Sequence, residues 1–237
     1  MKRLFTGTSG FAYKEWKGSF YPEDLPDAKM LHFYGEHFGS VEINNTFYRM
    51  PSEKVLRDWA AQVPGDFRFV LKASRQITHM TRLKEPQPVE YLQKQSESLG
   101  ERRGPILFQL PPNMKKDVER LKTFLARVRP DVRPALEFRH ASWFDEDVFG
   151  ALRERNAALC IAHTEEEEGA VQTPFVATAD WSYLRLRKVS YGPGELEKWA
   201  ARIAEPAWGD VFVFFKHEDE GTGPKLAKKF ESLFPTL

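Results

Sequence analysis

Eight short apolar segments recur along this chain, and each ends in polar, site-like residues. They are Phe5-Thr6-Gly7-Thr8-Ser9-Gly10, Val41-Glu42-Ile43-Asn44-Asn45, Phe69-Val70-Leu71-Lys72-Ala73-Ser74-Arg75 and Ile106-Leu107-Phe108-Gln109-Leu110-Pro111-Pro112. Then come Ala135-Leu136-Glu137-Phe138-Arg139-His140, Leu159-Cys160-Ile161-Ala162-His163, Tyr183-Leu184-Arg185-Leu186-Arg187 and Val211-Phe212-Val213-Phe214-Phe215-Lys216-His217. They start about 24–37 residues apart, with helical patterns between most of them. That alternation specifies parallel strands joined by right-handed crossovers. Eight units in 237 residues predict an α/β fold, a (β/α)8 TIM barrel formed as one domain over residues 1–237. Such a barrel builds its site at the C-terminal strand ends, where the polar residues fall.

The pattern predicts strands at Leu4–Thr8, Ser40–Asn44, Arg68–Ala73, Pro105–Leu110, Arg133–Phe138 and Asp210–Phe215, with others ending near His163 and Arg187. Helices are expected over Ala28–Phe38, from Pro51-Ser52 through Val63, and over Val89–Leu99 and Asp117–Val128. Another should start from a Ser142 or Asp145 cap and end near Arg155, and two more span Pro193–Ala204 and Pro224–Phe234. The sixth unit is irregular. His163 is followed by Thr164 and four glutamates, Glu165 to Glu168, read as a solvated loop, and Gln172–Trp181 looks extended rather than helical. The segment from Ser74 to Pro88 reads as a long basic loop, a length that marks functional or mobile segments.

Net charge is +1, so no global field draws the protein to nucleic acid or membrane. No apolar run is long enough to span a bilayer, and the residues after Met1-Lys2-Arg3 are too short an apolar stretch for a signal peptide. The single cysteine, Cys160, lies inside an apolar strand and reads as core; with no disulfide framework the expected location is cytoplasmic. Aromatics reach 14%, many in loops: Phe11, Tyr13, Trp16, Phe20, Tyr21, Phe47, Tyr48 and Trp143. They suit equally a secondary core over the barrel mouth and a stacking surface for a ligand.

Alternation along each strand places the site. Glu42 with Asn44, Lys72 with Ser74, Glu137 with Arg139, and Arg185 with Arg187 share inward faces. The expected mouth holds two carboxylates, several cations and the amides of Asn44 and Gln109, with His79, His140, His163 and His217 at or beyond strand ends. Arginine and lysine at a partly dry strand end bind phosphate or carboxylate. A desolvated glutamate rises in pKa and can move a proton. The same residues also fit a buried ion-pair network that only fills the barrel. Thr8-Ser9-Gly10 offers hydroxyls and backbone N–H groups to an anion, or is a plain turn.

No Walker loop and no GxGxxG occurs, so no cofactor is identifiable. Glu42, Glu137, His140, His163 and His217 are residue types that could ligate a divalent metal, without a metal motif to support it. Glu42 and Glu137 could also serve a glycosidase, and Lys72 a Schiff base.

These same stretches resemble the DUF72, or YecE-like, family over nearly the whole chain. The resemblance rests on Thr6-Gly7-Thr8-Ser9-Gly10-Phe11, Trp16-Lys17-Gly18 with Phe20-Tyr21-Pro22, and Val41 through Tyr48. It continues in Lys72-Ala73-Ser74-Arg75 with Ile77-Thr78-His79 and Arg82-Leu83, in Phe108 to Asn113, and in Glu137-Phe138-Arg139-His140 with Ser142-Trp143-Phe144. It implies a TIM barrel and no settled activity. Fold analogy between that family and metal-dependent nucleases and sugar isomerases suggests nucleic-acid or phosphate ligands. Two segments depart from the family's usual pattern. Arg185-Leu186-Arg187-Lys188 stands where an Arg-x-His-Gly type sequence is usual, and Phe214-Phe215-Lys216-His217-Glu218-Asp219 where a Tyr-Phe-Asn-Asn type sequence is usual.

The resulting expectation is an enzyme acting on a small phosphorylated or otherwise anionic substrate. Glu42, Glu137, Lys72 and His79 are the candidate catalytic groups. Thr8, Ser9, Asn44, Asn45, Tyr48, Arg75, Gln109, Arg139, His140, Trp143 and Arg185 are the candidate binding groups. The alternatives are a nucleic-acid-binding or processing protein and a non-catalytic metabolite-binding barrel. In the nucleic-acid reading Lys14, Lys17, Arg75, Arg82 and Lys84 contact phosphates, and Trp16, Tyr48 or Trp143 stack on bases. Nothing in the sequence sets an oligomeric state.

Overall fold

A computed structural model of the chain describes residues 3–165, 171–216 and 221–234. Glu166, Glu167 and Glu168 of the expected acidic loop, and His217, Glu218 and Asp219, lie outside the described residues. Eight strands form the frame: β1 (Arg3–Thr8), β2 (Ser40–Ile43), β3 (Arg68–Lys72), β4 (Arg103–Gln109), β5 (Pro134–Glu137), β6 (Ala158–His163), β7 (Ser182–Leu186) and β8 (Asp210–Phe215). All adjacent pairs are parallel, in the order β1-β8-β7-β6-β5-β4-β3-β2. A parallel bridge between Ser9 and Glu42 brings β1 to β2 and nearly closes the ring. This is the (β/α)8 barrel that the strand count and alternation predict.

The closure depends on Gly7. A Cβ there would lie 1.9 Å from the Ser40 carbonyl oxygen and 2.9 Å from the Tyr34 hydroxyl, so β1 can approach β2 only without a side chain.

Inside the ring, Phe5, Val70, Leu107, Ala135, Cys160, Tyr183, Phe212 and Phe214 pack as one cluster. Phe5 and Phe212 stack with centroids 4.6 Å apart. The N-terminal end is sealed by Asp210, which accepts from Arg3 Nε at 2.7 Å and from Arg133 Nη1 at 2.6 Å. A larger core lies between the strands and the surrounding helices. This two-sided burial explains why the strands read as nearly continuous apolar runs.

The helices are α1 (Met30–Gly35), α2 (Glu53–Ala60), α3 (Gln87–Ser96), α4 (Val118–Arg127), α5 (Glu146–Glu154), α6 (Glu195–Ala204) and α7 (Thr222–Glu231). Polar caps set several of their starts. Ser52 Oγ accepts from Val55 N at the start of α2, Asp117 from Arg120 N at α4, and Asp145 from Asp147 N at α5.

The structure differs from the sequence expectation in two informative places. The segment after β3 is not a structureless loop. Gln76–Met80 forms one π-helical turn, closed by Thr81 N donating to the Gln76 carbonyl at 2.8 Å. Left-handed Arg82 (φ 48°) and Leu83 (φ 66°) then redirect the chain into α3. Helix α1 is also shorter than expected and is preceded by a 3₁₀ turn at Asp27–Lys29.

The sixth crossover contains no helix among the described residues. Its extended run is tied to the base of β6. Thr178 Oγ1 accepts from Leu159 N at 2.8 Å and donates to the Ala157 carbonyl at 2.7 Å. The Asp180 and Asn156 side chains and backbone bond reciprocally.

Candidate functional site

The inward faces of β2, β5 and β7 end on Glu42, Glu137 and Arg185, all buried at the floor of the barrel mouth. Arg185 joins the two carboxylates: Nη2 donates to Glu42 Oε1 at 2.8 Å and Nη1 to Glu137 Oε2 at 2.6 Å. Glu42 also accepts from Ser9 Oγ (2.8 Å), Asn44 Nδ2 (3.1 Å) and Tyr183 Oη (2.5 Å). Glu137 accepts from Gln109 Nε2 (2.8 Å) and Arg139 Nε (3.2 Å). Gln109 stands beside Glu137 because the register pairs these residues across β4 and β5.

Burial alone would raise both carboxyls. For Glu42 the Arg185 charge and the Tyr183 and Ser9 hydroxyls outweigh it, and its pKa falls. For Glu137 the charges of Arg185, Arg139 and Arg187 hold the pKa far below the usual carboxylate range. Both groups are anionic at neutral pH. A glycosidase pair requires one carboxyl kept protonated, a condition neither meets.

Above this floor lies a half-buried rim. Lys72, the last residue of β3, places Nζ 4.4 Å from the centre of the Phe47 ring. Among the described residues its amine has no hydrogen bond and no direct ion pair, although it feels the charges of Arg185, Glu42, Glu137 and Arg139, while Arg139 and Arg185 bind carboxylates directly. Burial and the neighbouring Arg185 charge lower its pKa to about 8. His79 meets the same Phe47 ring edge-on at 5.0 Å, and its Nδ1 is 2.8 Å from Thr78 Oγ1. Burial, then Lys72, Arg139 and Arg82, lower the His79 pKa and keep the ring neutral at pH 7. Arg187 is half-buried on the same side, its pKa lowered by burial and by Arg185.

Several anticipated binding groups are used internally. The Thr8 hydroxyl donates to the Gly10 carbonyl at 2.6 Å, and the Thr8, Ser9 and Gly10 amides donate to Tyr34 Oη, the Phe215 carbonyl and the Thr8 carbonyl. Thr8-Ser9-Gly10 is therefore a closed turn with no amide left for an anion. Trp143 is fully buried, stacked on Phe138 at 4.7 Å, with Nε1 bonded to the Met114 carbonyl. It cannot stack on a ligand. Trp16 and Tyr21 are likewise buried, as part of the larger core outside the ring, so Trp16 cannot stack on a base. His140 Nδ1 lies 2.8 Å from Ser142 Oγ and accepts from Ser142 N.

Asn45, Tyr48 and Arg75 are exposed on the turns beyond β2 and β3, Tyr48 at 75%. His163 faces Trp199 and Tyr191 on the outer side of the barrel, apart from the mouth. Among the described residues no three of His, Cys, Asp and Glu converge as metal ligands, and His217 lies outside them.

Two contributors escaped the sequence reading: Tyr183, and Phe47 as the seat of Lys72. Tyr183 sits two residues before Arg185 on the same inward face, so strict alternation marks it.

A ring of eight parallel strands, with paired carboxylates and cations at the C-terminal ends, defines a (β/α)8 barrel protein with a charged mouth. Residues 5–236 match the family described as "Protein of unknown function DUF72", and the chain belongs to that family. It is 24% identical to the UPF0759 protein YunF of Bacillus subtilis, over 97% of this chain and 94% of that protein. With the UPF0759 protein YecE of Escherichia coli it shares 32% identity over 48% of this chain and 43% of that one. The crystal structure of a DUF72 family protein from Thermotoga maritima superposes with a TM-score of 0.85 at 27% identity, covering 97% of this chain and 98% of that chain. No described helix is long and apolar enough to cross a membrane.

Proposed function

We propose that this chain is an enzyme acting on a small anionic substrate, phosphorylated or carboxylate-bearing, bound at the C-terminal mouth of the barrel. One observation carries the reading: among the described residues the cations Lys72, Arg139 and Arg185 share the mouth with two carboxylates, Glu42 and Glu137, and both carboxylates are engaged by Arg185. Burial first, and then the Arg185 charge, press down the pKa values of Lys72 and Arg187, so a bound anion would offset part of that cost. Arg139 and Lys72, both half-buried, meet the anion, and Arg187 extends the same field.

Glu42 and Glu137 hold Arg185 in place. Proton transfer falls to Lys72 and His79, whose lowered pKa values give neutral forms close to physiological pH. A titratable lysine at a barrel strand end favours catalysis over passive binding.

The test is thermal stabilisation by inorganic phosphate, sugar phosphates, carboxylates and short oligonucleotides, with and without divalent metals. The expected result is a shift with small anions that Arg139→Ala removes. A shift with oligonucleotides alone, falling steeply with salt, supports the nucleic-acid reading instead. No shift with any anion in a folded sample removes the anion site.

A further inference from the structure

Lys72 is unlike the other basic groups of the mouth. Arg185 is shared between two carboxylates, and Arg139 reaches Glu137. The Lys72 amine has no such partner among the described residues; it rests on the face of Phe47 at the inward, C-terminal end of β3. A lysine that only contributes structure usually ends on a carboxylate or in bulk water. This one is half-buried against an aromatic ring and open to the mouth.

The groups around it come from every side. Arg185 approaches from β7, Glu42 from β2, Glu137 and Arg139 from the end of β5, and His79 from the π-helical turn after β3. Because Arg185 hydrogen-bonds both carboxylates, neither pairs directly with the Lys72 amine among the described residues; their charges favour its proton, but burial and Arg185 outweigh them. An amine with a lowered pKa, seated on an aromatic ring beside a cationic anchor, is the arrangement an amine nucleophile needs.

We propose that Lys72 forms an imine with a small anionic carbonyl compound, so that the substrate class is oxo acids or phosphorylated aldehydes and ketones. This rests on the anionic-substrate reading above and makes it specific. The neutral Nζ adds to the carbonyl carbon; the C–N bond forms as the carbonyl π pair moves onto oxygen. His79 takes the proton that nitrogen loses and returns one to that oxygen. The resulting hydroxyl takes a second proton, drawn from solvent through His79, and leaves as water as the nitrogen lone pair forms the C=N bond, giving the iminium ion; addition of water and return of that proton to solvent reverse the sequence. The iminium withdraws electrons from the adjacent carbon, which suits the site to a lyase or isomerase reaction there. Arg139 anchors the substrate's anionic group.

The experiment treats the whole protein with pyruvate or with dihydroxyacetone phosphate and sodium cyanoborohydride, buffered near the amine's pKa of about 8. Intact mass and peptide mapping read the adduct. The expected result is one reductant-dependent adduct on Lys72, formed at least about tenfold faster than on any exposed lysine, because far more of this amine is unprotonated. Which probe reacts separates oxo acids from phosphorylated carbonyl compounds. Lys72→Arg, checked for folding by thermal melt, should abolish the adduct, and inorganic phosphate should slow it. Arg139→Ala should erase the rate advantage of dihydroxyacetone phosphate over neutral dihydroxyacetone.

Absence of a Lys72 adduct with both probes, or modification spread evenly over exposed lysines, overturns the imine. If phosphate still stabilises the protein in that case, the anionic-substrate reading survives. If phosphate neither stabilises nor competes, both fall.

Discussion

The Nη2 atom of Arg185 donates to Oε1 of Glu42 across 2.8 Å at the floor of the barrel, where both side chains are shut off from solvent. The same guanidinium holds Glu137. A pair of buried charges rarely contributes net stability over an apolar filling, yet losing one partner strands the others. This arrangement therefore fixes the floor geometry and decides which mouth cations are left to act on a ligand.

Arg185→Met should destabilise the protein by about 3 to 5 kcal/mol, because two buried carboxylates lose their counter-charge. Adding Glu42→Gln and Glu137→Gln to that variant should recover a substantial part of the loss. Urea melts of the single and triple variants measure both. A triple variant no more stable than the single would show that the charges themselves are not the source of the cost.

The same carboxylates set an acid limb. Their folded pKa values lie below the unfolded value of 4.5. Their stabilisation is complete above that pH and is lost as pH falls through the folded values. The midpoint of urea unfolding should hold steady from neutrality to about pH 5 and then drop steadily toward about pH 3. A flat midpoint across that interval contradicts the ion-paired floor.

Lys72 gives a second rise of stability with pH, in a higher window, and unlike the carboxylates it is a cost at neutral pH. Its folded pKa of about 8 lies below its ordinary 10.5, so between those values the unfolded chain binds the extra proton. Stability should therefore rise with pH through that window by about 1 to 3 kcal/mol, allowing for solvent screening of a half-buried group. Lys72→Met should abolish the rise and be the more stable protein at neutral pH. An unchanged slope in the variant would assign the rise to another group.

The barrel was legible because a period of two with polar strand ends is a local pattern, and eight repeats of it admit few topologies. Glu42, Glu137, Arg185 and Gln109 meet because alternation puts them on inward faces, which the sequence displays directly. The isolation of Lys72 was not legible, since it depends on which cation captures each carboxylate in three dimensions. Nor could sequence alone tell that Trp16 and Trp143 are packed inside while Tyr48 faces solvent. Aromatic loop residues look alike until their neighbours are known. The turn after β3 was hidden for a similar reason: a π-helical turn closes through Thr81 and left-handed Arg82 and Leu83, without the glycine that usually announces such a reversal.

Gly7→Ala should damage the barrel more than its size suggests. The new methyl would lie 1.9 Å from a backbone oxygen of β2, and backbone cannot swing aside as a side chain can. A loss of at least about 2 kcal/mol is expected, read from the urea midpoint. Gly65→Ala, where nothing lies within 4 Å of the added carbon, is the matched control and should change little. Equal effects at the two positions would place no special demand on the approach of β1 to β2.

Cys160 offers a reporter of the barrel interior. Its side chain lies inside the ring among Tyr183, Phe214 and Ala158, and burial, with the negative charge of Glu137 nearby, pushes its thiol pKa up. A disulfide reagent requires both access and thiolate, and the native protein supplies neither. Labelling should therefore wait for the strands to separate. Its rate in native buffer should match the global unfolding rate obtained by extrapolating urea kinetics to water. Glu42→Gln should accelerate labelling in proportion to its faster unfolding. Labelling much faster than unfolding would mean that the strands open locally near β6, next to the crossover that lacks a helix among the described residues.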